Sequence, residues 1–141
     1  MAPESVFLDT NIVADMIDGG RERHNDSVRL LESLVKRQIR IVISEDMITT
    51  LFYISQDKKA TLEFLLHVVY PLWSVVPYGM ALIREATNSA FRGKTDLEDT
   101  LQCLCARKEG CAIVVTEDRG FVDCGVRVMD YDAALRALEA R

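Results

Sequence analysis

Three short stretches place acids where an apolar run gives way to polar residues. "VFLDTN" ends its apolar run on Asp9, and in "VVTEDRGF" Asp118 follows the run "AIVVT" at one remove, after Glu117. Between them "DLEDTLQ" carries Asp96 and Asp99, three apart and so on neighbouring positions of one helical surface. Converging carboxylates repel one another and raise one another's pKa. A hard divalent cation relieves that repulsion, and Mg²⁺ takes only a few protein oxygens at about 2.0–2.1 Å while keeping several waters. Two such ions roughly 3.5–4 Å apart activate a water and stabilise the leaving oxygen in phosphodiester hydrolysis. No histidine, cysteine or lysine nucleophile is required. Each acid also has an ordinary reading: Asp9 as a helix cap, Asp96 as an acid of a first turn, Asp99 as a solvated position off the apolar stripe, and Asp118 as a turn residue. From spacing alone both readings stay open.

The elements decide whether these acids meet. Val6–Leu8 reads as a short buried strand, followed by a helix over "NIVADMID" that Gly19-Gly20 stops. A helical pattern runs from His24 to Gln38, and "IRIVIS" (Ile39–Ser44) is a β-branched second strand. Ser44 is expected to cap the next helix, with Glu45 and Asp46 in its first turn. Leu62, Leu65, Leu66 and Val69 form a helical stripe that should end near Pro71. "WSVVP" is a third strand, and Met80–Phe91 returns to helix. Thr95 to Glu98 spells a capping box that opens a helix with Leu97, Leu101, Leu104 and Cys105 on one face. "CAIVVT" and "VRVM" are the last strands, and Tyr131, Ala134, Leu135 and Leu138 mark a final helix. Strands alternating with helices predict an α/β fold, a mostly parallel sheet covered on both faces. In such sheets ligands bind beyond the carboxyl ends of the strands, where strand order reverses. Asp9 and Asp118 would then stand side by side if their strands are neighbours.

At 141 residues, 49% hydrophobic and 28% charged, the chain fits one domain over 1–141 with a sizeable core. A formal charge of −5 argues against a surface built for nonspecific DNA binding. No basic leader precedes an apolar run, and no apolar stretch approaches a membrane span, so a cytoplasmic protein is expected. In that reducing setting Cys103, Cys105, Cys111 and Cys124 read as packing residues, since their spacing matches no zinc pattern. With two histidines, His24 and His67, a histidine-based hydrolase has little to work with. There is no phosphate-binding glycine loop after the first strand. A receiver-type domain also gathers acids at strand ends, but it would want an acidic pair where "VFLDTN" has a single acid.

Taken in order, "VFLDTN", "DLEDTLQCLCA" and "VVTEDRGF" resemble the PIN domain family, named for the PilT N-terminus, over essentially the whole chain. The resemblance implies a three-layer α/β/α sandwich and a metal-dependent ribonuclease using Mg²⁺ or Mn²⁺. It makes Asp9, Asp99 and Asp118 the acidic metal ligands, Thr116 the hydroxyl that sets the last acid or a bound water, Asp96 a nearby auxiliary, and Phe121 a packing residue that fixes the loop. Short members are often VapC-like toxins, which implies an RNA substrate, a small antitoxin partner and a homodimer. Arg84, Arg92, Lys94 and Arg119 are candidates for holding the RNA backbone. One departure matters: the family usually carries a fourth acid where this chain has Thr50. Either Glu45, Asp46 or Asp96 supplies the missing charge, or the site binds metal weakly. The second case corresponds to a catalytically degenerate domain that binds RNA or protein.

Overall fold

The computed structural model describes residues 3–140. Its elements run β1 (Ser5–Leu8), α1 (Thr10–Ile17), α2 (His24–Lys36), β2 (Arg40–Ser44), α3 (Met47–Ile54) and α4 (Lys58–Phe64). A π-helical turn (Leu65–Val69) leads into a single turn α5 (Tyr70–Leu72), then β3 (Ser74–Val76), α6 (Met80–Gly93), α7 (Leu97–Lys108), β4 (Ile113–Val115), β5 (Arg127–Met129) and α8 (Tyr131–Glu139). The five strands form one all-parallel sheet in the order β3-β2-β1-β4-β5. Strands β1 and β4 are buried along their whole length, which explains their unbroken apolar runs.

Right-handed crossovers place the helices. From β1 to β3 the chain steps one way across the sheet, and from β3 to β4 it returns past β1 with α6 and α7 on the opposite face. The packing agrees: α1 packs on α2 and α3, α2 on α8, and α6 on α7. Three layers result, with Phe7, Leu8, Ile43 and Val114 at the centre. The reversal of strand order falls between β1 and β4, whose register pairs Val6 with Ile113 and Leu8 with Val115. Asp9 extends this ladder, its N–H donating to Val115 O at 3.0 Å.

Four local expectations are corrected. Ser44 does not cap a helix: it is the last residue of β2, in register with Val76, and Asp46 holds the N-cap position of α3 without a side-chain bond. The capping box moves by one residue, because Lys94 leaves α6 in the left-handed conformation (φ 55) and hands the extended cap to Asp96. The Asp96 carboxylate accepts from Asp99 N–H at 2.9 Å, while the Thr95 hydroxyl meets that of Thr100 at 3.2 Å. The helix does end beside Pro71, at Leu72, but its apolar stripe is divided. The π-helical turn before the proline keeps Leu65 and Val69 in the core and leaves Leu62 and Leu66 exposed, and the chain turns off at Trp73.

The cysteines are the fourth case. Cys103 on α7 and Cys124 in the β4–β5 loop form a disulfide with their Cα atoms 6.1 Å apart, while Cys105 and Cys111 are buried free thiols. Nothing in their spacing pointed to this pairing, which depends on the loop folding back over α7. The cross-link closes a loop with a sequence separation of 21. The loop-entropy relation assigns such a loop about 3 kcal/mol. Reducing the bond, or Cys103→Ser, is expected to lower unfolding free energy in urea by about that amount. Thiol titration of the denatured, unreduced chain should count two groups; four would show that the bond does not form.

Candidate active site

Asp9 leaves β1 in extended conformation (φ −65, ψ 155) and caps α1. Its carboxylate has one donor on each oxygen: Thr10 N–H on Oδ1 and the Thr116 hydroxyl on Oδ2, both at 2.7 Å. Asp9, Thr10 and Thr116 are all buried. Capping and a functional role are therefore compatible, and the carboxylate is held by one donor on each oxygen.

Thr116 continues β4, its N–H donating to Met129 O at 3.0 Å, and its hydroxyl links the two acids. While donating to Asp9 it accepts the backbone N–H of Asp118 at 3.0 Å. The Asp118 carboxylate then accepts Gly120 N–H at 2.9 Å in a tight turn, and the side chain faces solvent. The adjacent Glu117 turns away, accepting Tyr131 N–H at 2.8 Å at the start of α8 and pairing with Arg23 at 3.2 Å. Phe121 packs on the core, as expected for the residue that anchors this loop.

The first turn of α7 supplies the third side. Burial raises the Asp99 carboxyl most, followed by the charge of Asp96, a hydrogen bond and charge from Asp118, and the charge of Asp9, which together push its pKa to about 7. The structure thus brings Asp9, Asp96, Asp99, Asp118 and Thr116 together. Sequence reading overlooked a fifth acid, Glu98. Burial and the charges of Asp9, Asp96 and Asp46 raise its pKa, against a hydrogen bond from Thr10 that lowers it. Beside it, buried Gln102 donates to Thr10 Oγ1 at 3.2 Å. An acid next to Asp99 in sequence was visible, but only the helix orientation shows that it faces Asp9. Of the residues considered in place of Thr50, Asp46 and Asp96 act electrostatically on this cluster, and Glu45 is solvent-exposed.

Asp118 lies on the shared wall of two open depressions. One, of about 500 Å³, includes Asp9, Asn11, Arg21 and Arg23; the other, of about 630 Å³, includes Thr116, Arg119 and Phe121. Arg119 makes no ion pair among the described residues, whereas Arg21 pairs with buried Asp15 at 2.7 Å and Arg23 lies over the Tyr131 ring. Arg84, Arg92 and Lys94 are exposed but line neither depression. His24 bonds Asp15 O at 2.7 Å and His67 is exposed, so neither belongs to the site.

All donors at the strand ends are hard oxygens, the set that suits Mg²⁺ or Mn²⁺ rather than Zn²⁺. Among the described residues no three metal-ligating side chains stand as a finished cage. Two of the strand-end acids already accept hydrogen bonds, Asp9 from two donors and Asp118 from the Gly120 N–H. The mutual repulsion registered at Asp99 is what a divalent cation would relieve, so the residues fit such an ion.

Comparison with known proteins agrees with this architecture. Residues 5–120 match the family model for the PIN domain. The chain is 35% identical over 133 residues to Ribonuclease VapC1 of Aquifex aeolicus, covering 92% of each chain. Among solved structures it resembles VapC20 of Mycobacterium tuberculosis, a sarcin-ricin loop cleaving toxin, with a TM-score of 0.64, 17% identity, and coverage of 77% of this chain and 86% of that one. It also resembles VapBC2 of Rickettsia felis bound to promoter DNA, with a TM-score of 0.66, 19% identity, and coverage of 89% and 98%. No helix among the described residues is long and apolar enough to cross a membrane. By family match and by extended identity, the chain belongs to the PIN domain family.

Proposed function

We propose that the protein is a ribonuclease of the VapC type that hydrolyses RNA with Mg²⁺ or Mn²⁺ and is held in check by a small antitoxin protein, the whole chain serving as one domain. The observation that supports it best is the convergence of Asp9 and Asp118 at the ends of adjacent parallel strands with Asp99 against both, its carboxyl displaced to a pKa of about 7. Relationship to Ribonuclease VapC1 supports the substrate class. A VapB–VapC complex among the structural relatives supports the partner.

Asp9, Asp99 and Asp118 would hold the cation, with Asp96 contributing charge at the cap of α7. A bound divalent ion supplies the positive charge that acidifies a water and stabilises the phosphate oxygens. Thr116 keeps Asp9 and Asp118 in fixed relation by donating to the first and accepting from the backbone of the second. Deprotonation of Asp99 readies the site for a cation, and Arg119 offers an exposed positive charge to the substrate backbone. The alternative of a degenerate binding module draws on the lack of a finished ligand cage among the described residues. Activity against RNA, with and without chelator, separates the two.

Asp9→Asn and Asp99→Asn are each expected to abolish calorimetric Mn²⁺ binding and to slow RNA cleavage by about a hundredfold or more, above the usual cost of losing a supporting residue. Cleavage that survives chelator, or survives Asp9→Asn, contradicts the reading. Acidity gives an independent check. Folding raises the Asp99 carboxyl from 3.8 to about 7, so between these values the folded, metal-free chain binds more protons than the unfolded one. Stability from this group is present at the acid end and is lost as pH rises through about 7. Thermal midpoints of the metal-free protein should therefore fall from about pH 5 to pH 8, with a shallower fall in Asp99→Asn. Mn²⁺ affinity should rise over the same interval, since the carboxylate form binds metal.

A further inference from the structure

Helices α6 and α7 form an antiparallel hairpin. Glu85 pairs with Arg107 at 3.1 Å toward its open end, where Leu82 and Lys108 line one groove. Only residues 94–96 join the two helices, so the last turn of α6 lies beside the first turn of α7, the turn that carries Asp99. That last turn presents Phe91, which at 84% is the most exposed large apolar residue among those described. A single apolar residue in water needs no explanation, but this one stands in a row of cations. Arg84, Asn88, Phe91 and Arg92 fall at i, i+4, i+7 and i+8, one stripe along α6, and all four are exposed. Lys94 follows at the turn into α7, exposed and in the left-handed conformation. Arg84, Arg92 and Lys94 make no ion pair among the described residues, and the one acid of α6, Glu85, is engaged by Arg107. In a chain of net charge −5, this stripe is a local reversal of sign that leads to the acidic cluster.

The neighbours of the ring decide what covers it. On a helix surface these are the residues three and four away and the next along: Thr87, Asn88, Arg92 and, past the helix end, Lys94. None is apolar. The buried centre of a protein–protein contact is apolar and poor in charge, so a lone phenyl among cations suits neither a second copy nor another protein. It suits a single-stranded nucleic acid, whose bases stack on an aromatic face while cations track its phosphates. At 1.5 Å per residue, Arg84 and Arg92 stand about 12 Å apart along the axis, enough for one strand to meet both in succession.

We propose that the α6 stripe is the track along which single-stranded RNA reaches the site, with Phe91 stacking on a base and Arg84 and Arg92 holding phosphates of the same strand. This deepens the ribonuclease reading given above and rests on it. An acidic cluster repels the phosphodiester it must cut, and a basic approach beside Asp99 offsets that repulsion.

The test is fluorescence anisotropy with a labelled single-stranded RNA of mixed sequence. The parent is the full chain carrying Asp9→Asn, so that the probe stays uncut, and Phe91→Ala, Phe91→Leu, Phe91→Trp and the pair Arg84→Gln with Arg92→Gln are added to it. All four positions are solvent-facing, and unchanged urea midpoints verify the fold. Phe91→Ala is expected to weaken the Kd by about tenfold and Phe91→Leu nearly as much, while Phe91→Trp keeps the parent affinity. The slope of log K against log salt should stay the same in these three and shrink by about 1.4 in the double arginine variant, about 0.7 for each lost phosphate contact. Phe91→Leu as tight as the parent, or Phe91→Ala within about twofold of it, overturns the track. So does a dimer on size exclusion that Phe91→Ala dissociates, since the face then belongs to a second copy. A parent that binds no RNA overturns the track as well. In each of these cases the ribonuclease reading stands if the chain with native Asp9 still cleaves RNA in Mn²⁺, and falls with the track if it does not.

Discussion

The parallel pairing of Ser5–Leu8 with Ile113–Val115 is the constraint on which the site depends. These strands are far apart in sequence and meet only because the chain reverses its direction across the sheet between them. Each strand ends by handing an acid to the same edge, and the ladder fixes their relation: Asp9 N–H bonds Val115 O, and the Thr116 hydroxyl bonds Asp9. A slip of one residue would turn every side chain of a strand to its other face and separate the pair. With both faces of β1 and β4 buried, such a slip would also swap side chains of different shape between two close-packed layers.

Acids at this edge divide by what their oxygens already touch. Asp15 is buried, but Arg21 and the Tyr131 hydroxyl each bond it at 2.7 Å, so it is a satisfied structural charge that ties α1 to α8. Glu117 is spent on Arg23 and on the Tyr131 backbone. Asp99, by contrast, has acids for neighbours, and its displaced pKa records the imbalance. Proximity in sequence is a poor guide here: Glu117 and Asp118 adjoin, yet one is paired with Arg23 at the cap of α2 and the other opens onto both depressions.

All five strands and the main helices were legible because short buried runs and helical stripes are local signals, and alternation of the two implies parallel pairing. The places of Asp9, Asp99 and Asp118 at strand ends and a helix start were legible because such boundaries can be located along a chain, whereas their assignment as ligands came only from the family resemblance. What escaped was set by distant contacts or by single-residue shifts in the backbone. The left-handed Lys94 moved the cap from Thr95 to Asp96, and a π-helical turn took Leu62 and Leu66 out of the buried stripe. The Cys103–Cys124 bond needed the fold of a loop, and Glu98 needed the rotation of α7, neither of which periodicity supplies.

That rotation explains how one helix serves both sides of Asp9. Successive residues of an α-helix point about 100° apart, since 3.6 residues complete a turn. Glu98 and Asp99 therefore diverge from adjacent Cα atoms, one toward β2 and the other toward the Asp118 turn. Gln102, four residues on from Glu98, stacks behind it on the same face and locks to Thr10. Cys103, four residues on from Asp99, stands behind the other face and bonds the loop that Asp118 begins. Each acid of the pair thus has its own brace one turn deeper in α7. A helix start that reads as one acidic patch in the sequence holds, in the fold, two acids with different neighbours, Asp46 for Glu98 and Asp118 for Asp99.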